Sequence, residues 1–564
     1  MAMVFAGITL IILATTVSWT SSSTKVTERN DTYNRAVSAA EAATETVIAR
    51  MARDFCNQSI NYSDLSPYRQ VTPATYLTND WPSEYQFSDN NGGINLSGVT
   101  SSGQTISTNV DAQLPGLYGL VFPCRVTSAA RRIGSPGYDV AAAVQQDFQL
   151  ASIPIYQFEA FSSLDLEINP GKLMKITGKV HGNADMYLAP AVGLEFVDAI
   201  ETTGQIYEDR KADDPLYGSA KVAPVYDNTH LSKANSLVLP IGTNNAPSEV
   251  VKVLDPPPAL ESPLSPVGSQ RYYNRVDLIV TVSPAGSVSL KSGRWNNLQL
   301  ISPDVTNAPP TYSFIKTNAT FFDYREGKFT ITTDFDVAAF SKWLTNAGAL
   351  LNGVALTNMG HNLNSIYIDD QRSVAGKLTV ARVNNGVQLP PDGLTVATHL
   401  PLYVKGSFNA PDLTPGSTNT TLTRPASLVG DAISILSANW TDSAVTNSLA
   451  GRIAADTTIN AAFLAGIVQT TNILGTKHYS GGLENFPRFL EDWTGKTFTY
   501  NGSMVLMFPS RYATSFWQST GIYYNAPTRQ WAFDQNFRTQ ALLPPVTPQV
   551  RKLLRGQWTV IAAN

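Results

Sequence analysis

What is missing from the start of this chain decides how the rest is read. From Met1 to Thr24 there is no charged residue, after Gly7 there is no glycine until Gly92, and the first proline is Pro67. Nothing in the first fifty-odd residues breaks a helix, and at 1.5 Å per residue the run predicts a rod of roughly 80 Å. Cysteine is scarce: Cys56 and Cys124 are the only two in 564 residues, which excludes a disulfide-dense scaffold. Charge is also scarce, at 15% of residues against about 25% in an average soluble protein. With a net charge of −4 there is no basic footprint for nucleic acid. The chain lacks H-E-x-x-H, G-x-S-x-G, a phosphate-binding glycine loop and an EF-hand loop. Its five histidines (His181, His230, His361, His399 and His478) show no metal-ligand spacing. No cofactor, metal or catalytic set is expected.

What is present is a helix with two solvents. Phe5, Ile8, Leu10, Ile11, Ile12, Leu13, Val17 and Trp19 make its first half, residues 1–24, apolar all round. That half is long enough for about 27 Å of hydrocarbon, near the thickness of a bilayer core. Over residues 25–55 small apolar residues recur at helical spacing, with Ala36, Ala40, Ala43 and Val47 on one stripe. Such a stripe suits packing against a neighbouring helix or against the chain's own globular part. Three readings fit these residues: an assembly helix, a single-span anchor and a cleaved signal peptide. The last lacks its basic n-region.

Glu28-Arg29-Asn30-Asp31 followed by Ala36-Val37-Ser38-Ala39-Ala40-Glu41-Ala42-Ala43 resembles the N-terminal signature of PilX-type minor pilins, which are type IV pilin-like subunits. That signature is a polar E-x-x-N-like segment followed by A-x-x-A-A-E-A-A just past the membrane span. The resemblance implies assembly with copies of itself or sister subunits through the helix. It also implies residence in the inner membrane before assembly, and at the bacterial cell surface or in an extracellular filament afterwards. One feature departs from major pilins: the first acidic residue is Glu28, and no basic leader or Gly-Phe cleavage pair is visible, which leaves either a leader outside this numbering or insertion without processing. Further on, Phe322-Asp-Tyr-Arg-Glu-Gly327, Pro401-Leu-Tyr-Val-Lys-Gly406 and Tyr479-Ser-Gly-Gly-Leu-Glu-Asn-Phe486 resemble large exported β-rich bacterial proteins with PilX-like N-termini, a family to which no reaction is attached.

The expected fold class is α+β and mainly β: a long N-terminal helix (1–55), a small pilin-like module (56–151), and a large β-rich head in two parts (152–400 and 401–564). The module should contain a hairpin of Tyr118–Thr127 and Tyr138–Leu150, turning between Arg131 and Gly137. Cys56 directly follows the helix and Cys124 lies in the first of these strands. We expect them to be bonded, tying helix end to sheet, as an oxidising compartment permits.

In the head, short apolar pairs (Leu166/Ile168, Met174/Ile176, Met186/Leu188, Leu194/Phe196) alternate with Gly, Asn and Pro, as stacked rungs of a β-solenoid or strands of a sandwich would. Tyr403, Ile433 and Phe463, thirty residues apart, fit one coil of a parallel β-helix. Two short helices are expected, at Asp336–Leu344 and Glu484–Trp493, the second with Pro487 in its first turn.

The adjacent carboxylates Asp369-Asp370 point to opposite faces if extended, unless they lie in a turn, and Glu491-Asp492 lie about 100° apart if helical. Solvated charge or arginine pairing is the favoured reading, with convergence of distant carboxylates on a sugar left open. Arg325-Glu326 and Glu484/Arg488 fit structural ion pairs. Tyr272-Tyr273, Trp517, Tyr523-Tyr524 and Trp531 fit core packing, or a sugar-stacking surface. The expectation is a non-enzymatic pilin-like structural or adhesive subunit, with a surface glycan as a further partner. The alternative is a single-span envelope protein whose β-helical head binds or cleaves polysaccharide.

Overall fold

A computed structural model describes residues 1–70, 81, 84–107, 110, 116–134, 140–293, 300–301, 312–345, 350–351, 354–355, 363–443, 448–518 and 521–564. The fold is α+β and mainly β, with one long helix followed by strands that range from short rungs to the long pair of the hairpin. Two compact units divide the chain: residues 1–153 with 551–564, and residues 154–550. The second is therefore inserted in sequence into the first.

The first unit is built on the helix α1, Ala2–Cys56, which runs unbroken. Its buried residues begin at Thr32 and recur three to four apart through Ala36, Ala40, Ala43, Val47, Met51 and Phe55. They cover one face of an antiparallel sheet. The hairpin of Gly119–Arg132 and Ala141–Pro154 is its centre, in register from Leu120↔Ser152 to Arg131↔Ala141. Tyr138 and part of the turn expected before it lie outside the described residues.

Tyr85–Ser88, Gly98–Ser101 and Thr105–Ser107 pair along the free side of the first hairpin strand. The far side of the second is taken by Gln549–Ile561, from the other end of the chain. Sequence reasoning missed this returning strand. It is secured to α1 by Arg555, whose guanidinium clamps Glu45 with one contact of 2.7 Å, and by Arg551, which donates to the Phe55 carbonyl. Asn90 accepts from the Asn564 amide at 2.8 Å and donates to the Ala562 carbonyl at 3.0 Å.

The expected disulfide is not formed: Cys56 and Cys124 are both free thiols. Cys124 faces into the cluster of Val47, Met51, Phe122 and Phe148 and donates to the Phe122 carbonyl at 3.7 Å. Burial pushes its thiol up to about 12. Cys56, on the helix end, has Arg551 as its charged neighbour, and burial raises its thiol too. The cluster, rather than a covalent tie, joins helix end and sheet.

The second unit is a parallel β-solenoid, which settles the choice between solenoid and sandwich. Leu166–Ile168, Met174–Ile176 and Val180–Gly182 form the three sides of one coil. The next coil repeats it twenty residues later, with Leu166 beside Met186, Met174 beside Leu194 and Val180 beside Ile200. A third starts with Ile206 beside Met186. Corner side chains bridge coils: Asp185 Oδ1 accepts from the Gln205 amide at 2.8 Å, and Asn169 Oδ1 from the Ala189 amide at 2.9 Å.

The order of stacking differs from the order in sequence. Ala160–Ser162 pairs upward with Val180–Gly182, and downward with Thr497–Pro509, from the end of the unit. Below that lie Thr457–Ile467, Ala426–Gly430, Leu394–Thr398, Ser365–Asp370 and Leu278–Val282 in turn, all parallel. The chain thus enters mid-stack, climbs to His230–Leu231, drops through residues 232–277 to the bottom, and climbs back to where it began. Entry and exit end side by side, with the Ile155 amide donating to the Pro548 carbonyl at 3.0 Å. An insertion needs its two ends adjacent, and this permuted order supplies that in a fold whose ends otherwise lie far apart.

A second parallel sheet, from Lys328–Asp336 through Lys377–Asn384, Leu402–Lys405 and Ile433–Leu436 to Pro487–Phe489, lines another side. The thirty-residue spacing does not hold: Tyr403 and Ile433 lie on neighbouring strands, but Tyr403 is beside Ser434 and Ile433 beside Leu402, and Phe463 stacks on Leu428 in the first sheet. Val337–Leu344 is a helix as expected, capped by Asp336, which accepts from the Ala339 amide at 2.9 Å. The helix expected at Glu484–Trp493 is instead a single 3-10 turn, Leu483–Asn485, followed by the strand Pro487–Phe489. Pro487 sits on an edge strand, where its missing N–H costs little. Phe486, Phe489, Leu490 and Trp493 are all buried because the solenoid core receives them, not because they share a helix face.

Candidate assembly helix

The structure splits the residues expected on the assembly helix into two sets. Phe5, Ile8, Leu10, Ile11, Ile12, Leu13, Val17 and Trp19 are all exposed, Ile8 least at 50% and Trp19 most at 75%. Ala36, Ala40, Ala43 and Val47 have no exposure at all. The four lie against the unit's own sheet, the alanines against Tyr85, Phe87, Ala130 and Val144. They are the base on which the exposed half stands. The change falls at Thr32; before it every residue of the rod is exposed among the described residues.

The exposed half is apolar enough to cross a bilayer: an 18-residue window has mean hydropathy 2.0, and none of it is buried. Its many threonines do not spoil this. Thr9 donates to the Phe5 carbonyl at 2.7 Å, Thr16 to Ile12 at 3.0 Å, Thr20 to Thr16 at 2.8 Å and Thr24 to Thr20 at 2.8 Å. With each hydroxyl spent on the preceding turn, the side chain presents its methyl outward. The first charges, Lys25, Glu28, Arg29 and Asp31, then form an exposed neck ahead of the packed portion.

The neck carries a charged groove that sequence reasoning missed. It encloses about 560 Å³ and is lined by Thr24, Thr27, Glu28, Asp31 and Arg35 of α1 and by Arg132 at the end of a hairpin strand. The arginine from the sheet is the part no local pattern could reveal, being 97 residues beyond Arg35.

The other candidates are accounted for inside the solenoid. His181 is buried between Glu201, 2.6 Å from Nδ1, and Asn183, 3.1 Å from Nε2. His399 stands 3.2 Å from the Tyr367 hydroxyl, His230 stacks on Tyr226 and His478 on Phe516. His361 lies outside the described residues. Among the described residues no three acidic, histidine or cysteine side chains converge as a metal site.

Asp370 is bound by Arg372 at 2.6 Å, and Asp369 accepts from Gln371 at 2.7 Å. Glu491 accepts from the Ser437 amide at 2.6 Å, while Asp492 serves Thr494. Arg488 pairs with Glu326 at 2.9 Å rather than with Glu484, which accepts instead from Tyr479 at 3.0 Å. Tyr272, Tyr523, Tyr524 and Trp531 are buried and so do not form a stacking surface; Tyr273 and Trp517 are half-buried.

Among solved structures the chain is similar to the competence-associated pilin ComZ from Thermus thermophilus. Identity is 11%, coverage 93% of this chain and 97% of that one, and the TM-score 0.25, too loose a superposition to carry fold or role across. No protein-family model and no curated protein matches the chain.

Proposed function

We propose that this chain is a pilin-like structural subunit that sits in the inner membrane through the first half of α1 and joins a surface filament through the same segment. One observation carries the reading: a single continuous helix is bare before Thr32, apolar up to Thr24, and buries one face against its own sheet from Thr32 on. A soluble domain gains nothing from a bare apolar rod, whereas a subunit that trades lipid for sister helices needs one. The rod is fixed by its packed half to a sheet that also holds the chain's last strand. The solenoid, inserted between two strands of that sheet, is the displayed head. On this reading the head acts without catalysis, and the structural partners of Asp369, Asp370, Glu491 and His181 support it.

Deleting residues 1–24 tests this. The truncated chain should leave the membrane fraction, stay soluble and fail to co-sediment with filaments formed by the intact chain. Continued co-sedimentation would remove the helix from assembly.

A second reading has its own observation. A groove of about 670 Å³ runs along the second solenoid sheet, lined by Arg382, Asn384, Asn385, Lys405, Ser407 and Asp456. Its size and its amide and charged donors suit a surface glycan. Binding of the isolated head to a glycan panel, lost on Lys405→Ala, would favour an adhesive role. Turnover abolished by a single carboxylate change would favour the enzyme.

A further inference from the structure

We infer that the charged groove on the neck of α1 is the seat of a second copy of this chain, whose Glu28 and Asp31 meet Arg35 and Arg132 of the first. This rests on the self-assembly reading above and adds a register to it.

The groove holds two carboxylates and two guanidiniums, and none of the four has an ion-pair partner among the described residues. Glu28, Asp31 and Arg35 are exposed and Arg132 is half-buried. Elsewhere in this unit Arg125 grips Asp147 at 2.6 Å and Arg555 grips Glu45. A further group neighbours the two arginines without lining the groove. Tyr85 is 3% exposed, and its hydroxyl is buried with no hydrogen-bond partner among the described residues. It lies close enough to Arg35 and Arg132 to feel both charges. Unpaired buried polar groups are costly, and two guanidiniums beside one form a ready receptor for carboxylate.

The occupant follows from the layout of charge. Copies anchored in one membrane by the same helix stand parallel. At zero offset, Glu28 and Asp31 of one face the same carboxylates of the next, and arginine faces arginine. The carboxylates precede Arg35 by four to seven residues, which is about 6–10 Å along the axis. Shifting one copy by that amount brings its carboxylates opposite the other's guanidiniums. The contact is then heterologous: the patch offered differs from the patch received. Such a contact repeats without closing and builds an open filament rather than a dimer. The Thr24 and Thr27 hydroxyls, the latter bonded to the Ser23 carbonyl at 3.0 Å, leave the groove wall lined with methyls against which a second helix can lie.

Complementary charge swaps on the intact chain test this. One variant carries Arg35→Glu with Arg132→Glu, the other Glu28→Arg with Asp31→Arg. Each is differently tagged, and both are checked for an unchanged melting temperature. Co-capture in detergent at low salt reads the association. Each variant alone should self-associate at least about tenfold more weakly than the unaltered chain, and a mixture of the two should recover most of the loss. The unaltered contact should also weaken as salt rises. If the unaltered chain associates and neither variant weakens it, or the mixture does no better than its components, the pairing is overturned and self-assembly stands. If the unaltered chain does not associate at all, the self-assembly reading falls and the pairing falls with it.

Discussion

The two units bury their β layers by opposite means. In the first, an antiparallel sheet has one inward face, and α1 from Thr32 to Cys56 is what covers it. In the second, coil stacks on coil and the sheets face one another. All eleven residues of Thr457–Ile467 are buried, and the longest helix among the described residues of the unit, Val337–Leu344, has eight. A sheet that needs a helix binds its fate to that helix, while a solenoid closes its own core. The first unit therefore depends on one helix for its stability, the same helix to which the proposed function gives assembly, while the second closes its core without it.

The strongest way to break this contrast is to remove the cover. Deleting residues 32–56 should abolish the first unit's native sheet and leave the solenoid folded. Limited proteolysis should then return a resistant core within residues 154–550 and nothing from 84–153. A protected hairpin would show that the sheet closes without the helix. Within the solenoid, Trp493→Ala should be the most damaging single change. Trp493 is fully buried, 5.3 Å from Phe489 and 6.2 Å from Phe498 ring to ring. Its loss should cost about 3–5 kcal/mol in denaturant titrations, with Trp493→Phe costing less. A cost below about 1 kcal/mol would mean that the coils do not share one core.

How far each unit was legible in the sequence follows the same contrast. The bare half of α1 was visible because absence of charge and of helix breakers is a local property. The rungs were visible as apolar pairs between Gly, Asn and Pro, since each coil is written in one contiguous stretch. What stacks on what was not: nothing local tells Ala160 that its lower neighbour is Met504, or Asp147 that the strand beyond it begins some four hundred residues later. The false helix at Glu484–Trp493 has the same origin. Apolar residues at 486, 489, 490 and 493 fit a helical face, yet two-sided burial places apolar residues at any spacing. At the site, Glu28, Asp31 and Arg35 were in plain view on one helix, but Arg132 reaches them only through the folded hairpin.

The contrast sharpens with pH. Glu159 in the solenoid is 3% exposed, and burial pushes its carboxyl up to about 7, despite amide bonds from Thr177 and Gly178 that favour the anion. In the unfolded chain an ordinary glutamate loses its proton near pH 4.3. Below that both states hold the proton and its contribution is complete. Between the two values only the folded state holds it, so the contribution falls as pH rises and is gone above about 7. Glu159→Gln should therefore flatten the solenoid's loss of stability between pH 5 and 8, by on the order of 2–3 kcal/mol at the alkaline end. The same curve for both proteins would place the titrating group elsewhere; Glu167, also pushed up to about 7, is the next to replace.

The smallest effect tests the division of α1 itself. Ala40 and Ala14 are both alanines of one unbroken helix, separated by the boundary at Thr32. Ala40 has no exposure and packs where the sheet presents Tyr85, Phe87 and Ala142; a larger side chain must displace strands. Ala40→Phe should cost about 1–3 kcal/mol of the first unit's stability. Ala14 is exposed, so Ala14→Phe should change that stability by less than about 0.5 kcal/mol. Its effect should appear only in assembly, where a bulky ring on the rod keeps helices apart. Measured together, the pair separates the two jobs of the helix: unfolding in detergent reads Ala40, and filament yield reads Ala14. Loss of folding stability from Ala14→Phe would mean that the first half of α1 is packed within the folded chain, and the boundary at Thr32 would not divide anchor from base.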